Sequence, residues 1–213
     1  MAPDLERLAD ELCAKHHAHT VILYGSRARG TPRATSDLDV FVLRDDGPAT
    51  SDHRRWEGLW LDAWIHPRRD AEHPEEGLLR LCGGRVLRQR DGLGDALLAR
   101  VEAMRDAGPP SLTAEKRALC ATWLEKTAAR VREASPDDLE ARLRRAALLN
   151  EALESYFVLR ERWFPGPRAA LEVLAREDGP THACFAAALR DPQGDVDVLV
   201  RRVIPEGAAT DGA

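Results

Sequence analysis

Gly25-Ser26-Arg27-Ala28-Arg29-Gly30, followed by Ser36-Asp37-Leu38-Asp39, is the stretch of this chain whose residue types could do chemistry. A Gly-Ser turn leaving a short apolar run, Val21-Ile22-Leu23-Tyr24, offers backbone N–H groups and a hydroxyl to the terminal phosphates of a nucleotide. Arg27 and Arg29 stand close enough in sequence to neutralise the same phosphates, and the guanidinium fork suits such oxygens. Two carboxylates then open a second apolar run, Val40-Phe41-Val42-Leu43. Residues two apart in a strand share a face. Asp37, Asp39 and Phe41 therefore share one face, with Leu38, Val40 and Val42 on the other. A third apolar run at 58–66 repeats the alternation, with Leu61, Ala63 and Ile65 opposite Trp60, Asp62, Trp64 and His66. Asp62 is a lone carboxylate in an apolar strand, where burial without a partner is costly. If its strand lies beside that of Asp37 and Asp39, three carboxylates converge. They repel one another unless a hard cation sits among them, and magnesium with oxygen ligands is the natural choice. Two such ions form a clamp for displacement at phosphorus.

The elements that must position these residues follow from periodicity and breakers. Leu5, Leu8 and Leu12 give residues 4–17 helical spacing. Strands are expected at 20–24, 37–43 and 58–66, the last stopped by Pro67. A short helix over 75–81, a break at Gly83-Gly84, a fourth strand over 86–90 and an amphipathic helix over 93–105 complete an α+β half. Gly108-Pro109-Pro110-Ser111 is the boundary. Beyond it the pattern is helical: 113–134, capped by Thr113 or Ser111, then about 137–163, 168–176, 181–190 and 196–203. The expected domains are 1–108 and 111–204, with residues 205–213 a frayed tail.

Composition narrows the function classes. The chain has 213 residues, enough for a sizeable core, with 44% hydrophobic and 31% charged residues. No apolar run approaches a membrane span, and the acidic N-terminus lacks a signal-peptide core. The net charge of −5 and pI of about 5.8 argue against a nucleic-acid grip, which usually brings a basic excess. Cys13, Cys82, Cys120 and Cys184 are far apart and read as reduced thiols of a cytoplasmic protein. His16, His17 and His19 cluster where the first helix ends, a place that favours cationic side chains more readily than a metal.

The two motifs together resemble the signature of the DNA polymerase beta-like nucleotidyltransferase superfamily. They look most like its bacterial branch of aminoglycoside and lincosamide nucleotidyltransferases. The motif resemblance covers about residues 20–66, and the helical second half extends it more loosely. It implies an N-terminal polymerase beta-like domain, a mixed sheet with helices, followed by an all-α helical-bundle domain. Gly25, Ser26, Arg27, Arg29 and Ser36 would bind the nucleotide, with Ser26 on the triphosphate. Asp37 and Asp39 would hold two Mg2+ ions, with Asp62 the third carboxylate. The implied reaction moves NMP from ATP, or another nucleoside triphosphate, onto a hydroxyl of a small-molecule acceptor such as an antibiotic. Relatives use a glutamate of the helical domain as general base, and Glu151 or Glu154 could serve here. Relatives also suggest a homodimer. Two alternatives stand beside this reading: protein AMPylation of the minimal nucleotidyltransferase antitoxin type, and a non-catalytic nucleotide-binding module.

Overall fold

The structure is a computed structural model that describes residues 3–135 and 137–205. The chain divides into two units, Met1–Ala107 and Gly108–Ala213. The fold is α+β, a mixed sheet with helices followed by a helical region, as expected.

In the first unit, helix α1 (Leu5–His16) is capped by Asp4, whose carboxylate accepts from the Arg7 N–H at 3.1 Å. It stops at His17, which takes a left-handed φ of 51°. Strand β1 (Ala18–Tyr24) leads into one turn of helix, α2 (Gly25–Ala28), where the sequence predicts a bare turn. Then come β2 (Leu38–Arg44), β3 (Thr50–Trp56), β4 (Leu59–Pro67) and α3 (Arg69–Glu72). The short helix expected over 75–81 is a 3-10 turn (Glu76–Leu81). Strand β5 (Arg85–Arg88) and α4 (Leu93–Ala107) complete the unit.

Among the described residues, five strands form one sheet in the order β3-β4-β2-β1-β5. Strands β2 and β4 are parallel, and the other neighbours are antiparallel. One face packs Val21, Leu23, Leu38, Val40, Val42, Ala63 and Ile65 against Leu8 and Leu12 of α1. The other packs Ile22, Tyr24, Phe41 and Leu43 against Leu78 and Leu81 of the 3-10 turn and Leu97 and Val101 of α4. Burial on both faces explains why β1 and β2 read as unbroken apolar runs. Asp39, two residues before Phe41, lies on the face covered by α4.

Strand β3 is absent from the sequence expectation. It is an edge strand of mostly charged and polar residues in which only Asp52 and Trp56 are buried. It turns into β4 through Glu57 and Gly58, both at positive φ (46° and 80°), the two-residue geometry that suits hairpin twist. Asp52 ties this edge to α1, because its Oδ2 accepts from Lys15 Nζ at 2.9 Å and meets His16 Nε2 at 3.1 Å. Burial pushes the Asp52 carboxyl up, but hydrogen bonds from Lys15 and His16 outweigh it and bring it down to about 2 from an ordinary 3.8. A lowered folded value stabilises the fold above the ordinary range, and that advantage is lost as pH falls toward 2. Asp52→Asn is therefore expected to cost about 1–2 kcal/mol at neutral pH, discounted because Lys15 is half exposed. In urea unfolding, the gap from wild type should close between about pH 5 and about pH 2.

The second unit is helical: α5 (Ala114–Glu133), α6 (Leu139–Val158), α7 (Pro167–Glu177), α8 (Gly179–Arg190) and α9 (Asp197–Val203). Thr113 caps α5 through the Lys116 N–H, and Asp138 caps α6 through Glu140 and Ala141. Helix α6 ends at Val158, short of the expected Trp163. Glu161 takes a φ of 54°, and the Arg162 N–H donates back to the Phe157 carbonyl at 2.9 Å. That is a Schellman ending with a non-glycine residue at the left-handed position. Leu124, Leu148, Phe157, Leu174, Phe185 and Val203 form the core. The expected tail lies outside the described residues from 206 onward.

Candidate functional site

The antiparallel register of β1 with β2 pairs Tyr24 with Asp39, and the parallel register of β2 with β4 pairs Asp39 with Asp62. Neighbouring strands lie about 4.8 Å apart. Two carboxylates that start on separate strands thus become neighbours in one row. Gly25 follows Tyr24 at a φ of +74°, and a Cβ built on it would come within 2.3 Å of Asp39 Oδ2. The Asp39 carboxylate therefore rests against the bare Cα of Gly25, at the start of α2.

Asp39 is half-buried, and no group among the described residues donates a hydrogen bond to its carboxylate. Burial pushes its pKa above the ordinary carboxylate value. The nearby charges of Asp62 and Asp37 push it further, while Arg29 and Arg80 pull it partway back. Tyr24 next to it is pushed up to about 12, chiefly by burial, so its phenol stays protonated at neutral pH.

Asp37 lies in the loop one residue before β2, not inside the strand as expected, and its side chain is exposed. Arg27 fixes that loop. Its Nη2 donates to the Ser36 carbonyl at 2.7 Å, and its Nε to the carbonyls of Ser36 and Asp37 at 3.0 and 3.1 Å. The Ser36 hydroxyl accepts from the Arg33 N–H at 2.8 Å. Arg27 and Ser36 thus spend these groups on the loop that carries Asp37. The Arg29 guanidinium has no hydrogen bond among the described residues, and its stem lies over Gly83. Ser26 sits in the first turn of α2, where helical N–H groups have no partner within the helix.

Two side chains of the site are missing from the sequence reading. Arg80, on the 3-10 turn, has its guanidinium 5.8 Å from the Tyr24 ring and 5.2 Å from the Trp64 ring, and it acts on Asp39. His53, on the unforeseen β3, pairs through Nδ1 with Asp62 Oδ1. His66, set on the Asp62 face by the alternation, bonds Asp70 at 2.9 Å and stacks on Phe41 with centroids 4.7 Å apart. Glu151 and Glu154 are both exposed on α6.

The donor set at Asp37, Asp39 and Asp62 is all oxygen, the set a hard cation takes. An unbonded carboxylate raised by two like charges is the kind a cation relieves. A preformed three-carboxylate cage is not present, however. Among the described residues, no three His, Cys, Asp or Glu side chains are gathered as a metal-holding group. Asp37 sits in an exposed loop, and Asp62 has one oxygen engaged by His53. His16, His17 and His19 likewise form no such group. No helix among the described residues is long and apolar enough to cross a membrane.

Residues 5–84 match the family model described as a nucleotidyltransferase domain. The match runs from α1 past the 3-10 turn, so it contains every carboxylate and arginine of the row just described. That stretch of the first unit is thus similar to a nucleotidyltransferase domain, a likeness that supports nucleotide transfer in general. A solved structure, of a nucleotidyltransferase-like protein from Exiguobacterium sibiricum 255-15, is similar with a TM-score of 0.48 and 11% identity. The similarity covers 93% of this chain and 73% of that one. No curated protein matches the chain.

Proposed function

We propose that this chain is a magnesium-dependent nucleotidyltransferase that moves NMP, with ATP as donor, onto a hydroxyl of a small cationic acceptor of the aminoglycoside kind. The observation that carries this reading is the pairing of Asp39 with Asp62 across β2 and β4, beside Gly25, inside the stretch that matches a nucleotidyltransferase domain. Asp37, Asp39 and Asp62 would hold the metal. When bound, it supplies charge neutralisation at the transferring phosphoryl group.

The chain's own residues do the rest by orientation and charge. The N–H groups at the start of α2 and the Ser26 hydroxyl bind the terminal phosphates, where the bare Gly25 lets backbone approach closely. Arg29 and Arg80, whose guanidiniums have no hydrogen-bond partner among the described residues, neutralise phosphate oxygens as pyrophosphate departs. The acceptor oxygen forms its bond to the α-phosphorus as the bond to the bridging oxygen of pyrophosphate breaks. The acceptor proton passes to a carboxylate base. Arg27 acts indirectly, by holding the loop that carries Asp37.

That last role gives a prediction. Arg27→Met removes hydrogen bonds from a charged donor, each worth about 1.5–3 kcal/mol. Losing one of them in transition-state positioning is expected to lower kcat/KM about tenfold. Arg27→Lys should not restore it, because an ammonium cannot span two carbonyls as the fork does. The reading itself is tested with ATP labelled at the α-phosphorus, magnesium and a panel of aminoglycosides and lincosamides. The expected result is label on the acceptor, with unlabelled pyrophosphate released. Label that stays on nucleotide with every acceptor and every nucleoside triphosphate would overturn it.

A further inference from the structure

His53 stands in edge strand β3 directly across from Asp62 of β4 in the antiparallel register. Directly opposed residues of such a pair have Cβ atoms about 5 Å apart. The imidazole therefore reaches the carboxylate, and Nδ1 meets Asp62 Oδ1. The ring is braced from a second side by Trp64, edge-on with centroids 5.3 Å apart and planes at 78°. On its other flank Asp62 pairs in register with Asp39. One row thus crosses three strands as His53, Asp62 and Asp39.

This arrangement solves a positioning problem. Asp62 is a third exposed at its side chain and carries the same charge as Asp39 beside it. Left alone, it would gain both rotamer freedom and distance from Asp39 by swinging toward solvent. An imidazole set against one oxygen opposes that swing and leaves the second oxygen available. Carboxylates that ligate metals are commonly held in this way by a hydrogen-bond donor behind them, and losing the donor typically costs 10–100-fold in metal affinity or activity.

We propose that His53 is the positioning residue of the metal site: it anchors Asp62 through Oδ1, so that Oδ2 is presented to a divalent cation shared with Asp39. The proposal rests on the reading of Asp39 and Asp62 as metal-holding carboxylates. His53 touches neither nucleotide nor acceptor in this role, so its effect should fall on metal affinity and not on the fold.

The test is calorimetric titration of Mn2+ into the full chain with a non-hydrolysable α,β-bridged ATP analogue present. Wild type, His53→Ala, His53→Asn and Asp39→Asn are compared. His53→Ala is expected to weaken Mn2+ binding about 10–100-fold with its melting temperature unchanged. His53→Asn should recover most of the loss, because the amide Nδ2 takes the place of the ring Nδ1–H. Wild-type affinity or tighter binding in His53→Ala would overturn the proposal. So would a loss that His53→Asn fails to recover. If wild type binds Mn2+ no better than Asp39→Asn, the metal reading itself fails and the proposal with it. If wild type binds and the His53 variants match it, only the proposal for His53 fails.

Discussion

Asp39→Asn is expected to raise the melting temperature of the metal-free protein while lowering nucleotide transfer roughly a thousandfold. The first half follows from electrostatics. Burial, then Asp62 and Asp37, push the Asp39 carboxyl above its ordinary value, and no hydrogen bond among the described residues compensates the charge. A group raised in the folded state favours folding below its ordinary range, and that advantage is lost as pH rises through the raised value. At neutral pH the ionised Asp39 therefore opposes folding, and a neutral isostere of the same shape relieves it. The stabilisation by Asn should fade as pH falls through the raised value toward the ordinary carboxylate range, as wild-type Asp39 takes up its proton. The second half follows from chemistry. A metal contributes several kcal/mol of charge stabilisation at the transferring group. At about 1.4 kcal/mol per tenfold, that is roughly three orders of magnitude. Melting curves across pH, together with initial rates, check both halves. A variant both less stable and fully active would contradict both.

Gly25→Ala is expected to inactivate the protein roughly a hundredfold through geometry alone. Gly25 holds a φ of +74°, a region L side chains rarely adopt, and the added methyl would lie 2.3 Å from Asp39 Oδ2. Either the start of α2 or the carboxylate must move by an ångström or so. A misplacement of about 1 Å in a catalytic constellation can cost about 10²-fold. The left-handed strain adds about 1 kcal/mol or more of destabilisation. Initial rates should fall with little change in the far-UV circular dichroism. Gly30→Ala is the matched control: Gly30 also has a positive φ, 73°, but a Cβ there meets nothing within 4 Å. It should share the strain and keep most of the activity.

The difference between these two glycines also marks what sequence conveys. The alternation around Asp39 and Asp62 was legible because Leu38, Val40 and Val42, like Leu61, Ala63 and Ile65, keep to one apolar face, and β2 and β4 do pair in register. The succession of an α+β part and a helical part was legible from period. Strand β3 was not. Its Thr-Ser-Asp-His-Arg-Arg-Trp run has the charge of a solvated loop, which is what an edge strand exposes. With β3 missing, His53 could not be set opposite Asp62. Arg80 was hidden for a different reason: one arginine on a 3-10 turn carries no pattern until folding sets it over Tyr24 and Trp64. Arg27 shows the converse. Its position in the motif suggested phosphate, but its fork meets the carbonyls of Ser36 and Asp37, a choice made by a loop path that spacing does not encode. Helix α6 was read too long because its helical pattern continues past Val158, while the stop depends on Glu161 adopting a left-handed backbone that glycine usually signals.

The central claim is that the Asp39–Asp62 row beside Gly25 receives a nucleoside triphosphate together with magnesium. The most direct measurement is the shift in melting temperature of wild type and Asp39→Asn with ATP alone, magnesium alone and both together, each against its own ligand-free baseline. Wild type should gain most with both ligands, by more than the two separate shifts combined, and Asp39→Asn should lose that excess. Equal shifts in the two proteins, or no shift with any nucleotide and magnesium, would contradict it.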